Sequence, residues 1–80
     1  MTSEEILKEV NDVFIDVLDN PSIKLTRETT SNDIAEWDSL NHIMLVVGTE
    51  KKFSIRFSTE EVQKFKNVGE MCDAIALKLK

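Results

Sequence analysis

Three residues that could together perform nucleophilic chemistry, Asp38, Ser39 and His42, stand within five positions of the sequence. A serine, a histidine and an acid are the nucleophile, the base and the orienting group of a hydrolytic triad. On a helix Ser39 and His42 share a face, but Asp38 at the helix start points elsewhere and cannot readily orient the imidazole. No glycine-rich turn stands nearby to form an oxyanion hole. The spacing therefore argues against a hydrolase, and by itself indicates only a capped helix start.

Metal-binding and phosphate-binding patterns are also missing from the sequence. It contains no CxxC, no HExxH, no glycine-rich phosphate loop and no calcium loop, and His42 and Cys72 are its only strong ligands for soft metals. A chain of this size also rarely encloses a substrate pocket. We therefore expect neither a metal site nor intrinsic catalysis.

The composition is that of an ordinary globular domain. The 80 residues are 41% hydrophobic and 31% charged, which predicts one domain over 1–80, with a monomer as the default state. A single cysteine cannot form an internal disulfide, which favours a reducing cytoplasm. No apolar run approaches the roughly 20 residues needed to span a bilayer, and the N-terminus lacks a signal-peptide pattern. We expect a cytoplasmic protein without membrane insertion.

Charge is distributed unevenly along the chain. Residues 1–40 contain ten acids and three bases, residues 41–80 contain five acids and seven bases, and the formal net charge is −5. An acidic chain repels phosphate backbones, so no nucleic-acid partner is expected. A protein partner should present basic surface to the first half.

Apolar periodicity predicts four helices, over about 3–18, 38–52, 58–65 and 67–80. Thr and Ser residues followed three positions later by Glu supply capping boxes before the first and third helices. The predicted fold is all-α: a small four-helix bundle of three main helices and one short helix.

Apolar spacing in the second helix selects one stripe as its buried face, and Phe53 is expected to close the helix end. The stripe consists of Leu40, Ile43, Met44 and Val47. Gly48, inside this helix, costs roughly 1 kcal/mol relative to alanine and so marks close packing or a bend. Residues 53–57 alternate like a strand, but without a partner strand we interpret them as an extended connection.

A long connection over about 19–37 separates the first two helices. Its apolar residues, Ile23, Leu25, Ile34 and Trp37, are too irregularly spaced for a strand or helix, so we expect them to pin the loop onto the core. Loops of this length in small domains are often functional.

The tripeptide Asp38-Ser39-Leu40 follows this loop at the start of the second helix. With this motif in this position, the sequence resembles the acyl carrier protein family. The likeness covers essentially the whole chain, and its other elements are Ile43, Leu45, Val46, Glu50, Phe53, Ile55 and Val68-Gly69-Glu70. Asp-Ser-Leu is a weak signal alone, but helix order, loop length and the later Val-Gly-acid make the combination specific.

The resemblance implies that Ser39, within the motif formed with Asp38 and Leu40, is the attachment site of 4′-phosphopantetheine. A phosphopantetheinyl transferase (carrier protein synthase) would transfer this group from coenzyme A to the Ser39 hydroxyl. The chain would then carry acyl thioesters between acyl-loading and acyl-transferring enzymes of fatty acid-like, polyketide or other specialised biosynthesis, without being an enzyme itself. An exposed helix N-terminus suits the phosphodiester, and the chemistry belongs to the cofactor and partners.

Departures from the family pattern concern partner binding. Carriers of fatty acid synthesis present acids on the exposed face of the second helix, whereas this chain has Asn41, Met44 and Lys51 there and retains only Glu50. Because charge complementarity governs partner choice, this departure predicts poor service to ordinary fatty acid synthesis enzymes and a dedicated set of partners.

Glu36-Trp37 stands where the family usually has small residues, a form similar to stand-alone carriers of specialised pathways. We interpret Trp37 mainly as a hydrophobic anchor of the loop, with a contact to the arm or a partner as the alternative. The acids Asp33, Glu36 and Asp38 either attract a basic synthase or form an ordinary solvated loop.

Three further side chains have structural and functional interpretations. His42 is predicted to be an exposed helical histidine, with a contact to the phosphate as the alternative. Cys72 is expected to be an inert core thiol, and Met44 and Met71 gap-fillers that could also admit an acyl chain between helices.

Two other functions stay open at this point. An aminoacyl or peptidyl carrier would use the same serine chemistry. An unmodified helical protein–protein interaction module would use the second helix only to dock a partner, and a hydrolase built on Ser39 and His42 is a distant third.

Overall fold

Four helices form the fold in the structure, a computed structural model that describes residues 1–79. They are α1 (Ser3–Leu18), α2 (Ser39–Phe53), α3 (Thr59–Lys64) and α4 (Val68–Lys78). No strand occurs within 1–79, and residues 55–58 are an extended connection as predicted. The all-α prediction is confirmed, and the last position of the final predicted helix lies outside the described residues.

Each helix begins at a polar side chain that accepts the backbone N–H three residues on, the caps being Thr2, Asp38, Ser58 and Asn67. The capping boxes expected before α1 and α3 are both present, with Glu5 and Glu61 as their acids. Each of these carboxylates accepts the backbone N–H of its cap, which lowers its pKa. The helix starts are therefore set by local hydrogen bonds that the sequence pattern specifies.

The core surrounds α1, which packs against both α2 and α4. Its buried side chains come from three helices and the long loop: Ile6, Val10, Val13, Phe14, Leu18, Ile23, Leu25, Trp37, Leu45, Phe53, Val68, Met71, Cys72 and Ile75. The short α3 contributes no buried residue. It is therefore held to the bundle by contacts at its edges rather than by a core face.

The buried face of α2 is the opposite of the predicted one. Leu40, Ile43, Met44 and Val47 are 74, 54, 52 and 42% exposed. The buried residues of this helix are Leu45, Val46, Thr49 and Phe53. Apolar spacing failed here because both faces of the helix carry apolar residues, and the buried face also contains the polar Thr49. The Thr49 hydroxyl donates to the Leu45 carbonyl at 2.8 Å, and this bond within the helix allows threonine to be buried.

The long loop is fastened to α1 by one asparagine side chain. Asn11 donates its Nδ2 to the Ile23 carbonyl at 3.3 Å, and its Oδ1 accepts the Leu25 N–H at 2.7 Å. Ile23 and Leu25 are buried in the core, as is Trp37, while Ile34 is half-buried against it. The prediction that these apolar residues pin the loop is confirmed.

Two glycines mark close approaches of the backbone. A Cβ on Gly48 would lie 3.0 Å from a Val13 methyl, so Gly48 allows α2 to pack closely against α1, one of the two interpretations offered by the sequence. The Gly69 N–H donates to the Arg27 carbonyl at 2.8 Å, and a Cβ there would lie 2.9 Å from that oxygen. Arg27 also pairs with Asp73 of α4 at 2.9 Å. The loop thus lies directly on the first turn of α4.

We expect Gly69→Ala to destabilise the fold by about 1–3 kcal/mol, the usual range for overpacking a tight site. The new methyl group would meet a backbone oxygen, which cannot turn away as a side chain can. Urea denaturation followed by circular dichroism measures the effect. Gly48→Ala is the matched control: it meets only valine methyls, and it gains roughly 1 kcal/mol of helix propensity as an offset. Equal stability of Gly69→Ala and wild type would contradict the packing argument.

Candidate functional site

Ser39 is the first residue of α2, and its side chain is exposed. The Asp38 carboxylate accepts the Asn41 N–H at 2.8 Å, and the Asp38 carbonyl accepts the His42 N–H at 2.8 Å. Asp38 is thus the N-cap that the sequence predicts. The cap leaves the Ser39 hydroxyl accessible at the positive end of the helix dipole.

Two of the predicted partner-binding residues hold the loop to α2. The Asn41 side chain donates to the Glu36 carbonyl at 2.7 Å, and the Glu36 carboxylate accepts the Asn20 amide at 2.9 Å. Glu36 and Asn41 are both half-buried. They fix the backbone that leads into Ser39.

Trp37 anchors the end of the loop, as predicted, and it also binds His42. Its indole is 6% exposed and packs edge-on against Phe14, with ring centroids 5.0 Å apart. The indole Nε1–H donates to His42 Nδ1 at 3.0 Å, and His42 Nε2 lies 3.2 Å from the Val62 carbonyl. The prediction of an exposed histidine is therefore wrong: the ring is half-buried and bonds the loop and α3 at once.

The apparent triad of Asp38, Ser39 and His42 is not assembled. A general base needs a ring nitrogen directed at the nucleophile, but both nitrogens of His42 are engaged, by Trp37 and Val62. The Asp38 carboxylate serves the helix cap instead of the imidazole. The geometry supports the sequence-based argument against a hydrolase.

An open cleft of about 460 Å³ lies beside Ser39, between the start of α2 and α3. Its lining consists of Ser31, Trp37, Asp38, Ser39, His42, Val62, Gln63, Phe65 and Lys66. The sequence analysis named four of these nine residues and missed Ser31 of the long loop and the four from α3 and the segment after it. The only signal for α3 was its capping box, which fixes where the helix starts and not what it faces.

The remaining predicted partner-binding residues fall into two groups. Met44 lies on the exposed apolar face of α2, so the prediction that it fills a gap in the core is wrong, whereas Met71 is fully buried. The carboxylates of Glu50 and Asp33 both accept backbone N–H groups. Glu50 bonds the Phe57 N–H at 2.8 Å, and Asp33 bonds the Thr30 N–H at 2.9 Å. Glu50, the one acid retained on the second helix, is therefore hydrogen-bonded within the fold.

Cys72 is buried in the core, as expected of an inert thiol. Burial raises the pKa of this thiol to about 11, against a smaller lowering effect of the nearby Arg27 charge. The reactive thiolate is thus scarce at neutral pH.

Within residues 1–79, no group of three or more His, Cys, Asp or Glu side chains is arranged to hold a metal ion. None of the helices over the same range has the length and apolar character needed to cross a bilayer.

Comparison with known proteins finds relatives over nearly the whole chain. An acyl carrier protein of Acidothermus cellulolyticus is 33% identical over 76 residues, covering 95% of this chain and 90% of the relative. One of Porphyromonas gingivalis is 35% identical over 77 residues, covering 95% and 97%. The chain belongs to the acyl carrier protein family. No protein-family model matches the carrier.

The fold of this carrier agrees with a solved relative. The solution NMR structure of holo acyl carrier protein from Geobacter metallireducens superposes with a TM-score of 0.87 at 46% identity, over 92% of this chain and 85% of that one. Members of the family are carrier proteins rather than enzymes, they generally bear a phosphopantetheine prosthetic group, and fatty acid biosynthesis is their typical setting.

We expect Asp38→Ala to lower the free energy of unfolding by about 1 kcal/mol, the usual contribution of an N-cap side chain. Asp38→Asn should keep wild-type stability, because an amide oxygen can accept the same Asn41 N–H. Chemical denaturation of both variants measures the difference. An alanine variant as stable as wild type would show that the cap contributes nothing.

Proposed function

We propose that Ser39 is the attachment site of 4′-phosphopantetheine and that the chain carries acyl groups as thioesters between partner enzymes. The observation that carries this proposal is the exposed serine at the capped N-terminus of α2, in a member of the acyl carrier protein family. The proposal also includes a single domain over 1–80 and a location in the reducing cytoplasm, where a lone thiol persists.

The residues around Ser39 fit such a group. The helix dipole and exposed N–H groups of a first turn favour the negative phosphodiester, and Lys66 on the opposite side of the cleft adds a positive charge. When bound, the group supplies a terminal thiol for the thioester. In the loading step the Ser39 hydroxyl gives its proton to a base of the transferase, and its oxygen forms the new bond to phosphorus. The phosphoanhydride bond of coenzyme A breaks, and adenosine bisphosphate leaves.

Partner enzymes would dock on the exposed apolar face of α2, which begins beside Ser39. Leu40, Ile43, Met44 and Val47 form one continuous stripe at helical spacing, and all are exposed. Apolar side chains at the centre of a protein contact supply most of its affinity. The Glu50 carboxylate accepts the Phe57 N–H and is held within the fold. The docking face is therefore apolar, whereas an acidic face would attract a basic patch on a partner enzyme.

The proposal predicts that incubation with coenzyme A and a promiscuous phosphopantetheinyl transferase adds the mass of one phosphopantetheine. Ser39→Ala should gain nothing, because the hydroxyl that accepts the group is removed. Ser31→Ala is the matched control, since Ser31 lines the same cleft and should not affect loading. Intact-mass spectrometry is the measurement. No gain by folded wild-type protein, beside a working positive control, would instead favour the interaction module.

We also expect this carrier to serve the ketoacyl synthase of ordinary fatty acid synthesis poorly. Its kcat/KM should be about tenfold or more below that of a housekeeping carrier, since electrostatic steering changes on-rates by roughly 10–1000-fold. Replacing Met44 and Lys51 together by Glu should raise kcat/KM at low salt. Gln63→Glu, which adds an acid on α3, is the control and should not. Equal efficiency of the unmodified chain and the housekeeping carrier would contradict the docking argument.

A further inference from the structure

A hydrogen-bonded bridge of Trp37, His42 and Val62 joins the long loop, α2 and α3 beside Ser39. The indole N–H can only donate, so His42 Nδ1 must accept it, at 3.0 Å. The ring proton of neutral His42 therefore resides on Nε2, which donates to the Val62 carbonyl at 3.2 Å. Both ring nitrogens are used, and the tautomer is determined by the partners on either side.

The bridge stands between the cleft and the apolar core. Trp37 is itself a member of the core cluster, and the core residues Leu45, Val68, Met71 and Ile75 have essentially no exposed surface. Elsewhere α3 is held by the Lys78–Glu61 ion pair at 2.9 Å and by the packing of Phe65 on Phe57. A chain that enters the bundle from the cleft would have to break the bridge and displace buried core side chains.

We propose that the Trp37–His42–Val62 bridge bars acyl chains from the bundle interior, so that the cargo stays in the open cleft beside Ser39. The inference rests on the proposed attachment to Ser39. The cleft is lined both by apolar residues and by polar or charged ones: Trp37, Val62 and Phe65, against Ser31, Asp38, Gln63 and Lys66. The exposed surface of this lining is more polar than apolar, so a long alkyl chain gains little free energy by moving onto it from water. The cleft therefore suits short or polar acyl groups.

The test loads wild-type protein with acetyl, butyryl, octanoyl and dodecanoyl phosphopantetheine from the corresponding acyl-coenzyme A and a promiscuous transferase. Two readouts follow: the rate of thioester cleavage by hydroxylamine, and the methyl NMR shifts of Leu45, Val68, Met71 and Ile75. We expect cleavage rates within about twofold across the series, since a thioester outside the bundle reacts without any opening of it. The core methyl shifts should not change with chain length. Long chains that slow cleavage and shift the core methyls would overturn the inference.

Variants of the bridge complete the test. In His42→Ala the octanoyl and dodecanoyl thioesters should become protected and the core methyls should shift, because the link between α2 and α3 is lost. His42→Leu keeps an apolar side chain of similar size at this position and removes both hydrogen bonds of the bridge, so it answers the same question if His42→Ala does not fold. Glu60→Ala, at an exposed position of α3 that does not line the cleft, is the control and should behave as wild type.

The outcomes separate this inference from the proposed function. A bridge variant that folds and still shows no dependence on chain length would overturn the role of the bridge. Wild-type protein that gains no acyl-phosphopantetheine mass at all would overturn the attachment to Ser39 and this inference with it. Protection of long chains in the loaded wild type would overturn this inference alone.

Discussion

Burial of the Trp37 indole is the interaction on which the geometry around Ser39 depends. The ring packs edge-on against Phe14 of α1 and bonds His42 of α2, so the last residues of the long loop have one position relative to two helices. Truncating a buried tryptophan to alanine typically costs about 3–5 kcal/mol, a large fraction of the 5–15 kcal/mol that stabilises an ordinary domain. Asp38 and Ser39 follow Trp37 directly in the sequence, so the burial of Trp37 determines where the serine lies.

The second helix has two apolar faces, one buried in the core and one exposed. One face, with Leu45 and Phe53, must be buried because α1 and α4 alone cannot enclose a core in a chain this short. The other face, with Leu40 and Met44, is exposed beside Ser39. Exposing apolar surface is unfavourable, and a contiguous stripe of it marks an interaction surface. In this carrier the stripe begins at Leu40, directly beside Ser39.

Polar residues near Ser39 that could suggest catalysis are used to build the fold. Asp38 caps α2, Asn41 and Glu36 fasten the loop, and His42 joins the loop to α3. Each hydrogen bond contributes about 1 kcal/mol net, while an unpaired buried polar group costs more, so these partners are strongly preferred over idle catalytic groups. This agrees with a family of carriers, in which partner enzymes supply the chemistry.

The sequence by itself determined the helices, their caps and the position of Ser39, because periodicity and capping involve residues at most four apart. It also identified the loop anchors, since large apolar side chains such as Trp37 and Leu25 are usually buried in globular proteins. The tertiary structure alone decided which face of α2 is buried, because both faces are apolar and the choice depends on packing against α1 through Gly48. It also decided the bonds of His42, whose partner Val62 lies twenty residues away on another helix. Interactions between segments distant in sequence leave no local pattern, so their outcome becomes visible only once the helices have packed.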